Sequence, residues 1–203
     1  MFAKIKQHFN RKNLTNEDYS FLFDEAPEDE YVVYDTETTG LNPKVDEILS
    51  IGALKIRGDK IITSEKFELF VQPTNLISEE SIKIHQIRNI DLQNGSKPDE
   101  ALDKFLHFVG SRPLIGYYLE FDVAMINKYL KPYLGITLPQ KQIEVSSMYY
   151  DLKTKFIPNA NIDLRFDTIM KDLGLPIFGK HDATNDAIMT AMIYLKLKNI
   201  DRI

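Results

Sequence analysis

The run Tyr31-Val32-Val33-Tyr34 is short, aromatic and β-branched, follows the acidic stretch Glu28-Asp29-Glu30, and leads straight into Asp35-Thr36-Glu37-Thr38-Thr39-Gly40. This segment constrains the chain more tightly than any other. Its composition predicts a buried strand, and a strand sends alternate side chains to the same face. Asp35 and Glu37 then point the same way, roughly 6.5 Å apart at a rise of ~3.3 Å per residue, within reach of one hard cation. An isolated Asp-x-Glu is more often a solvated strand end. It is the acids further along the chain that point to a metal site.

Two further blocks supply them. In Gly116-Tyr117-Tyr118-Leu119-Glu120-Phe121-Asp122 a short strand, Leu114 to Tyr117, gives way to a helix running to about Leu134, and Asp122 falls in the first turn of that helix. In His181-Asp182-Ala183-Thr184-Asn185-Asp186 a loop opens onto a helix whose Ala183, Ala187, Ile188, Ala191, Met192 and Leu195 form an apolar stripe at helical spacing. His181 stands at the mouth of this helix and Asp186 more than a turn inside it.

In this order the three blocks resemble the DEDD superfamily of 3′-5′ exonucleases in its histidine-carrying branch, which includes proofreading epsilon subunits and the ribonuclease T group. Asp35 and Glu37 match the first motif, Asp122 the second, and His181 with Asp186 the third, over a region of about Tyr31 to Leu197. The second motif departs from the commoner Gly-His-Asn, reading Gly116-Tyr117-Tyr118. The resemblance implies two divalent ions. Asp35 would bridge them, Glu37 and Asp186 would complete the first, Asp122 would support the second partly through water, and His181 would be the general base. It also implies a ribonuclease H-like α/β fold, a mixed sheet flanked by helices. The implied activity is hydrolysis of single-stranded nucleic acid from its 3′ end to nucleoside 5′-monophosphates, as in proofreading and DNA repair. DNA is the expected substrate. An RNA-trimming enzyme and a non-catalytic polymerase-associated binding subunit are the alternatives.

The chemistry accounts for the residue types. A phosphodiester repels an incoming hydroxide, and two divalent ions about 3.5–4 Å apart neutralise it, prepare the nucleophile and stabilise the departing 3′ oxygen. Carboxylates suit Mg²⁺ or Mn²⁺, and with no cysteine in the chain, thiolate-held zinc and iron–sulfur centres are excluded. Two like charges 4 Å apart at an effective dielectric of ~20 repel by about 4 kcal/mol, so clustered acids need cations or protons. No Lys or Arg lies within the first or third motif to serve.

The remaining elements predict the layers. Glu47–Arg57 and Ile61–Val71 are β-rich runs about the turn pair Gly58-Asp59, giving an antiparallel meander with the first strand. Asp99–Val109 and Arg165–Leu173 read as helices and Gln142–Val145 as the last strand. A central first strand brings Asp35, Asp122 and Asp186 to one edge of the sheet. Substrate contacts are expected from the turn Thr38-Thr39-Gly40 through its backbone N–H groups, and from Leu41, which the resemblance places against the terminal base. The same is expected of His85, a loop histidine near the family's nucleotide pocket, and of Tyr117 and Tyr118 as stacking aromatics.

Residues 1–30 read as a helical extension and 31–203 as the exonuclease domain. Phe2, Ile5 and Phe9 form one apolar stripe and Tyr19, Leu22 and Phe23 another. Such stripes usually fold back onto their own domain; the alternative is that residues 1–28 dock a polymerase or another partner. The 203 residues, 43% of them hydrophobic, suffice for one core. A net charge of −5 argues against a protein that coats nucleic acid, while leaving room for an enzyme that grips a few terminal nucleotides. No membrane-spanning run and no signal peptide is visible, so a cytoplasmic protein is expected. The chain ends soon after its last helix, without the long tail by which proofreading subunits typically hold their polymerase, and a stand-alone enzyme is expected.

Overall fold

The computed structural model describes residues 2–156, 161–179 and 181–200, with the side chains of 2–6 and of Phe156 outside the description. The chain runs α1 (Phe2–Lys12), a 3-10 helix (Glu17–Phe23), β1 (Glu30–Thr38), β2 (Ile48–Arg57), β3 (Lys60–Phe70), α2 (Glu79–His85), α3 (Pro98–Val109), β4 (Leu114–Gly116), α4 (Leu119–Leu134), β5 (Gln142–Glu144), α5 (Val145–Phe156), α6 (Phe166–Asp172) and α7 (Ala183–Ile200). The strands form one sheet in the order β3-β2-β1-β4-β5. Its meander half is antiparallel, whereas β4 and β5 run parallel to β1. This is the mixed, helix-flanked α/β sheet expected from the sequence, with β1 at its centre.

Alternation along β1 divides the core. Val32 and Tyr34 face α3 and α4, joined by Ile51 and Ala53 of β2 and by Phe105, Leu106 and Ile126. Val33 faces the other way, with Leu54, Ile56 and Ile115, against Tyr149 of α5, Ile169 of α6 and Ala187, Ala191 and Ile193 of α7. Both faces of the sheet are covered, and the central strands read as near-continuous apolar runs for that reason. The polar break comes at the far end of β1, where a bulge between Glu37 and Thr38 ends the regular pairing with β2.

Several boundaries differ from the sequence reading. β1 carries on through Asp35 and Glu37 to Thr38, so Thr38 closes the strand and does not belong to a free turn. β4 stops at Gly116, and Tyr118, at φ 55°, turns the chain into α4. Val145 opens α5 where a strand end was expected, and neither α5 nor α2 was foreseen. Asp186 lies in the first turn of α7, nearer its start than expected.

Of the N-terminal stripes, Phe2 and Ile5 have side chains outside the described set, and Phe9 is 61% exposed. The second stripe joins the core: Tyr19 and Leu22 are buried with α3 and α4, and the Tyr19 hydroxyl donates to Asp103 at 2.6 Å. It does so from a 3-10 helix and not an α-helix. α1 is tied down through Asn10, which pairs both ways with the Thr137 backbone at 2.7 and 3.0 Å. Gly135, at φ 75°, lets the end of α4 pass so close to the Asn13 carbonyl that a β-carbon would overlap it.

Candidate active site

The strand geometry brings the acids of the first motif to the sheet face that α7 covers. Asp35 pairs with Gly52 across the β1–β2 ladder, and Glu37 with Ser50. Gly52 has no side chain, and a β-carbon there would overlap the Ala183 carbonyl carbon and the Thr184 nitrogen. The first turn of α7 therefore rests directly on β2. Asp182 starts that helix, its side chain accepting from Asn185 N at 2.8 Å and its carbonyl from Asp186 N at 2.9 Å, the arrangement of an acidic N-cap. The small residues Ala183, Ala187 and Ala191, one turn apart, keep the helix low on the sheet. Asp186 arrives beside the first motif as a result: ligand oxygens of Asp35, Glu37 and Asp186 all lie within 4.8 Å of one another.

Such crowding has an electrostatic signature. Burial, followed by the charges of Asp122, Asp186, Glu37 and Asp182, pushes the Asp35 carboxyl well above its ordinary range. Burial, then Asp186 and Asp122, lifts Glu37 to about 8. These groups hold protons unless a cation takes their place, and hard oxygen donors at this spacing suit a divalent ion such as Mg²⁺ or Mn²⁺.

Asp122 comes from the opposite side of the sheet, on the first turn of α4, and is 3% exposed. Its Oδ1 accepts from Thr36 N at 3.0 Å and Thr36 Oγ1 at 2.6 Å. Burial raises it to about 7, against the lowering effect of the Thr36 bonds. It is not among the three carboxylates whose oxygens converge within 4.8 Å. Glu144 at the end of β5 ties the neighbouring helix starts together, accepting from Leu119 N at 2.9 Å and from Ser146 N at 3.0 Å.

His181 is exposed, at φ 61°, and its backbone N–H donates to Asp186 Oδ2 at 3.1 Å. This left-handed residue just before the helix cap places its imidazole on the rim of two clefts. One, of about 630 Å³, is lined by Asp35, Tyr117, Arg165, Phe166, His181 and Asp186 among others. The other lies over Ile51, Phe70, His85, Ile87 and Asp182.

The expected substrate contacts fare unevenly. His85 ends α2 and is 4% exposed, so it is not a solvated loop histidine. Its Nδ1 accepts from Ile87 N at 3.0 Å, which puts the ring proton on Nε2, 2.8 Å from Ser81 Oγ. Both ring nitrogens are thus engaged within the protein, although the ring borders the second cleft. The Thr39 amide is used on the Glu47 carbonyl at 2.9 Å, and Thr38 Oγ1 donates to the Gly40 carbonyl at 2.7 Å, so this turn is held by its own bonds. Leu41 is 86% exposed. Tyr117 is packed edge-on against Phe166 at 4.9 Å with its hydroxyl on the Leu164 carbonyl at 2.9 Å, whereas Tyr118 is 67% exposed.

Gly52, Thr36 and Arg165 escaped the sequence reading. Nothing in a single chain marks Gly52 or Thr36, because their roles depend on which helices come to lie over them. Arg165 is the one Lys or Arg among the described residues lining the first cleft, and it is held there by Asp163 through paired bonds of 2.5–3.0 Å.

Comparison with known proteins gives the family and the fold. The family model described as exonuclease (RNase_T) matches residues 32–194. The chain is 32% identical over 167 residues to the DNA polymerase III subunit epsilon of Aquifex aeolicus, covering 82% of this chain and 79% of that protein. It is 31% identical over 169 residues to the PolC-type DNA polymerase III of Thermotoga maritima, of whose length it spans 12%. Among solved structures, an Escherichia coli exonuclease I–single-stranded DNA complex superposes with a TM-score of 0.73 at 15% identity, over 87% of this chain and 42% of the other. Cell-death related nuclease 4 gives 0.73 at 16%, over 86% and 65%.

Proposed function

Since the chain belongs to the exonuclease family, in the histidine-carrying branch of the DEDD superfamily, we propose that it is a metal-dependent 3′-5′ exonuclease acting on single-stranded DNA. Its products are nucleoside 5′-monophosphates. The observation that carries this reading is the convergence of Asp35, Glu37 and Asp186 within 4.8 Å, with His181 hydrogen-bonded to Asp186 through its backbone at 3.1 Å.

Asp35, Glu37 and Asp186, with Asp122 as the fourth carboxylate, would hold two Mg²⁺ or Mn²⁺ ions, hard cations that suit this set of oxygen donors. Ions bound there would supply neutralisation of the phosphate and of the departing 3′ oxygen. The chain's own residues do the rest. The terminal nucleotide enters beside the carboxylates, a volume of about 630 Å³ in the first cleft being within the ~300–1,000 Å³ usual for small-ligand pockets. Leu41 and Tyr118, both open to solvent, offer apolar faces to the bases, and Arg165 offers the cleft's positive charge to the backbone. His181 takes the proton from the water that attacks phosphorus. The P–O3′ bond breaks, and the 3′ hydroxyl left on the shortened strand receives its proton from solvent.

DNA is favoured over RNA by the replicative relatives and by the single-stranded DNA named in one structural neighbour. Residues 31–203 carry the catalysis in this reading and residues 1–30 form the extension. Any docking of a polymerase or other protein uses the part of residues 1–28 that stays outside the core, such as Phe9. No helix among the described residues is long and apolar enough to cross a membrane; the replicative relatives support a cytoplasmic place for this activity.

Digestion of 5′-labelled DNA and RNA oligonucleotides tests the proposal. In Mg²⁺ or Mn²⁺ the label should persist on progressively shorter DNA, chelator should stop the reaction, and Asp35→Ala or Asp186→Ala should abolish it. Release of the 5′ label as the first product, or wild-type rates in either variant, would overturn the assignment.

A further inference from the structure

We propose that the Thr36 hydroxyl positions Asp122, fixing which of its oxygens is presented to the second cation of the site. This rests on the two-ion reading above and goes beyond it by assigning a role to a residue that touches neither substrate nor cation.

Thr36 lies between Asp35 and Glu37, so strand alternation sends its side chain to the other face of the sheet, towards α4. β4 pairs with β1 only as far as Val33↔Ile115. Beyond that point the ladder has a gap, and the Thr36 N–H donates to Asp122 Oδ1 at 3.0 Å where a neighbouring strand would otherwise have accepted. The carboxylate thus stands in for a missing strand and joins α4 to the centre of the sheet.

The backbone bond alone would serve that structural purpose. The hydroxyl adds a second bond to the same oxygen, at 2.6 Å, short enough to be charge-assisted. Thr36 is 7% exposed and Asp122 3%, beside a layer of Tyr34, Leu119 and Val123 that valine would suit as well. A buried hydroxyl in such a place is unfavourable unless its bond matters. With Oδ1 claimed twice, Oδ2 is the oxygen not taken up by Thr36. Asp122 lies outside the trio of mutually converging carboxylates, and rotation of its carboxyl plane would displace the oxygen it offers to a cation.

The test is Mn²⁺ binding to the full chain, by calorimetry and by the electron spin resonance of free Mn²⁺, without nucleic acid. Wild type should bind two ions. Thr36→Val should stay folded with a lowered Tm and keep the tighter site, while the weaker site loses about 10- to 100-fold in affinity, the usual effect of removing a group that orients a metal ligand. Thr36→Ser should restore most of it. Under turnover, Thr36→Val should need more Mn²⁺ for half-maximal rate and approach the wild-type kcat when saturated. If Thr36→Val fails to fold, Thr36→Ala against Thr36→Ser makes the same comparison. Two unaltered sites in the variant lacking the hydroxyl would overturn the inference and leave the proposed function standing. A wild type that binds no Mn²⁺ would overturn both.

Discussion

Gly52 of β2 and Thr184 of α7 meet backbone to backbone, with no room for a methyl group between them. Asp35 is the cross-strand partner of Gly52 and Asp186 lies two residues beyond Thr184. One missing side chain therefore sets how near the first and third motifs can come. Gly52→Ala should lift the start of α7 off the sheet, costing about 1–3 kcal/mol as overpacking does, and should weaken Mn²⁺ binding beyond what that loss of stability explains. Denaturant unfolding and Mn²⁺ titration of the same sample check this. Unchanged ion affinity would show that α7 absorbs the methyl group elsewhere.

Stability of the ion-free protein should fall as pH rises. The folded-state values of Asp35, Glu37 and Asp122 are raised, Glu37 to about 8 and Asp122 to about 7. Unfolded carboxyls release their protons near ~4. Between about 4 and about 8 the native state thus binds more protons than the unfolded one, so each increment of pH favours unfolding. In chelator, Tm should decline across this window; a fixed concentration of Mn²⁺ should raise Tm more at pH 8 than at pH 5, where protons compete with the ion. Glu37→Gln should flatten the slope and raise Tm at pH 8 by at least ~2–4 °C, the equivalent of about 1 kcal/mol at this size. A chelated wild type that stabilises between pH 5 and 8 would contradict the sign.

The segment before β1 is part of the core rather than a loose arm. Tyr19 and Leu22 are buried, and the Tyr19 hydroxyl bonds Asp103 at 2.6 Å. Deleting residues 1–28 should cost at least the burial of these two side chains, about 1.5–3 kcal/mol each, while Tyr19→Phe should cost about 1 kcal/mol through its lost hydrogen bond. Thermal unfolding of both variants decides this. A truncated chain as stable as the full one would return the segment to the role of a docking arm.

The three motifs and the central strand were legible because each rests on local pattern: a short aromatic and β-branched run in β1, a short strand giving way to a helix at Asp122, and a loop opening onto an apolar stripe in α7. The resemblance supplied the rest of that reading, above all the pairing of distant blocks. Legibility failed where context decides. His85 looks like a loop residue in Ile84-His85-Gln86-Ile87, yet Ser78 caps a two-turn helix that buries it, its side chain accepting from Ser81 N at 3.2 Å. α5 went unread although Val145, Met148, Tyr149 and Leu152 stand at helical spacing and pack into the core beside α7, because the strand expected over Gln142–Val145 claims the first residue of that stripe. Thr36 and Gly52 gain meaning only when α4 and α7 lie on opposite faces of the same strands.

His181 can be separated from the metal ligands by pH. It stands on the rim of the first cleft, and its described hydrogen bond to Asp186 runs through the backbone N–H, which leaves the imidazole free of that task. His181→Ala should therefore keep Mn²⁺ binding close to wild type and lower turnover by about 10²- to 10⁴-fold, the usual contribution of a positioned base. The carboxylates complicate the acidic limb at low metal, since their raised values let protons compete with ions up to about pH 8. Saturating Mn²⁺ removes that competition, and the limb that persists belongs to the proton acceptor. With His181 as that acceptor, the limb should be present in the wild type and absent from His181→Ala, whose residual rate should climb with hydroxide concentration. An identical acidic limb in both proteins would assign the proton to another group, and loss of Mn²⁺ binding in the variant would make His181 a structural part of the site.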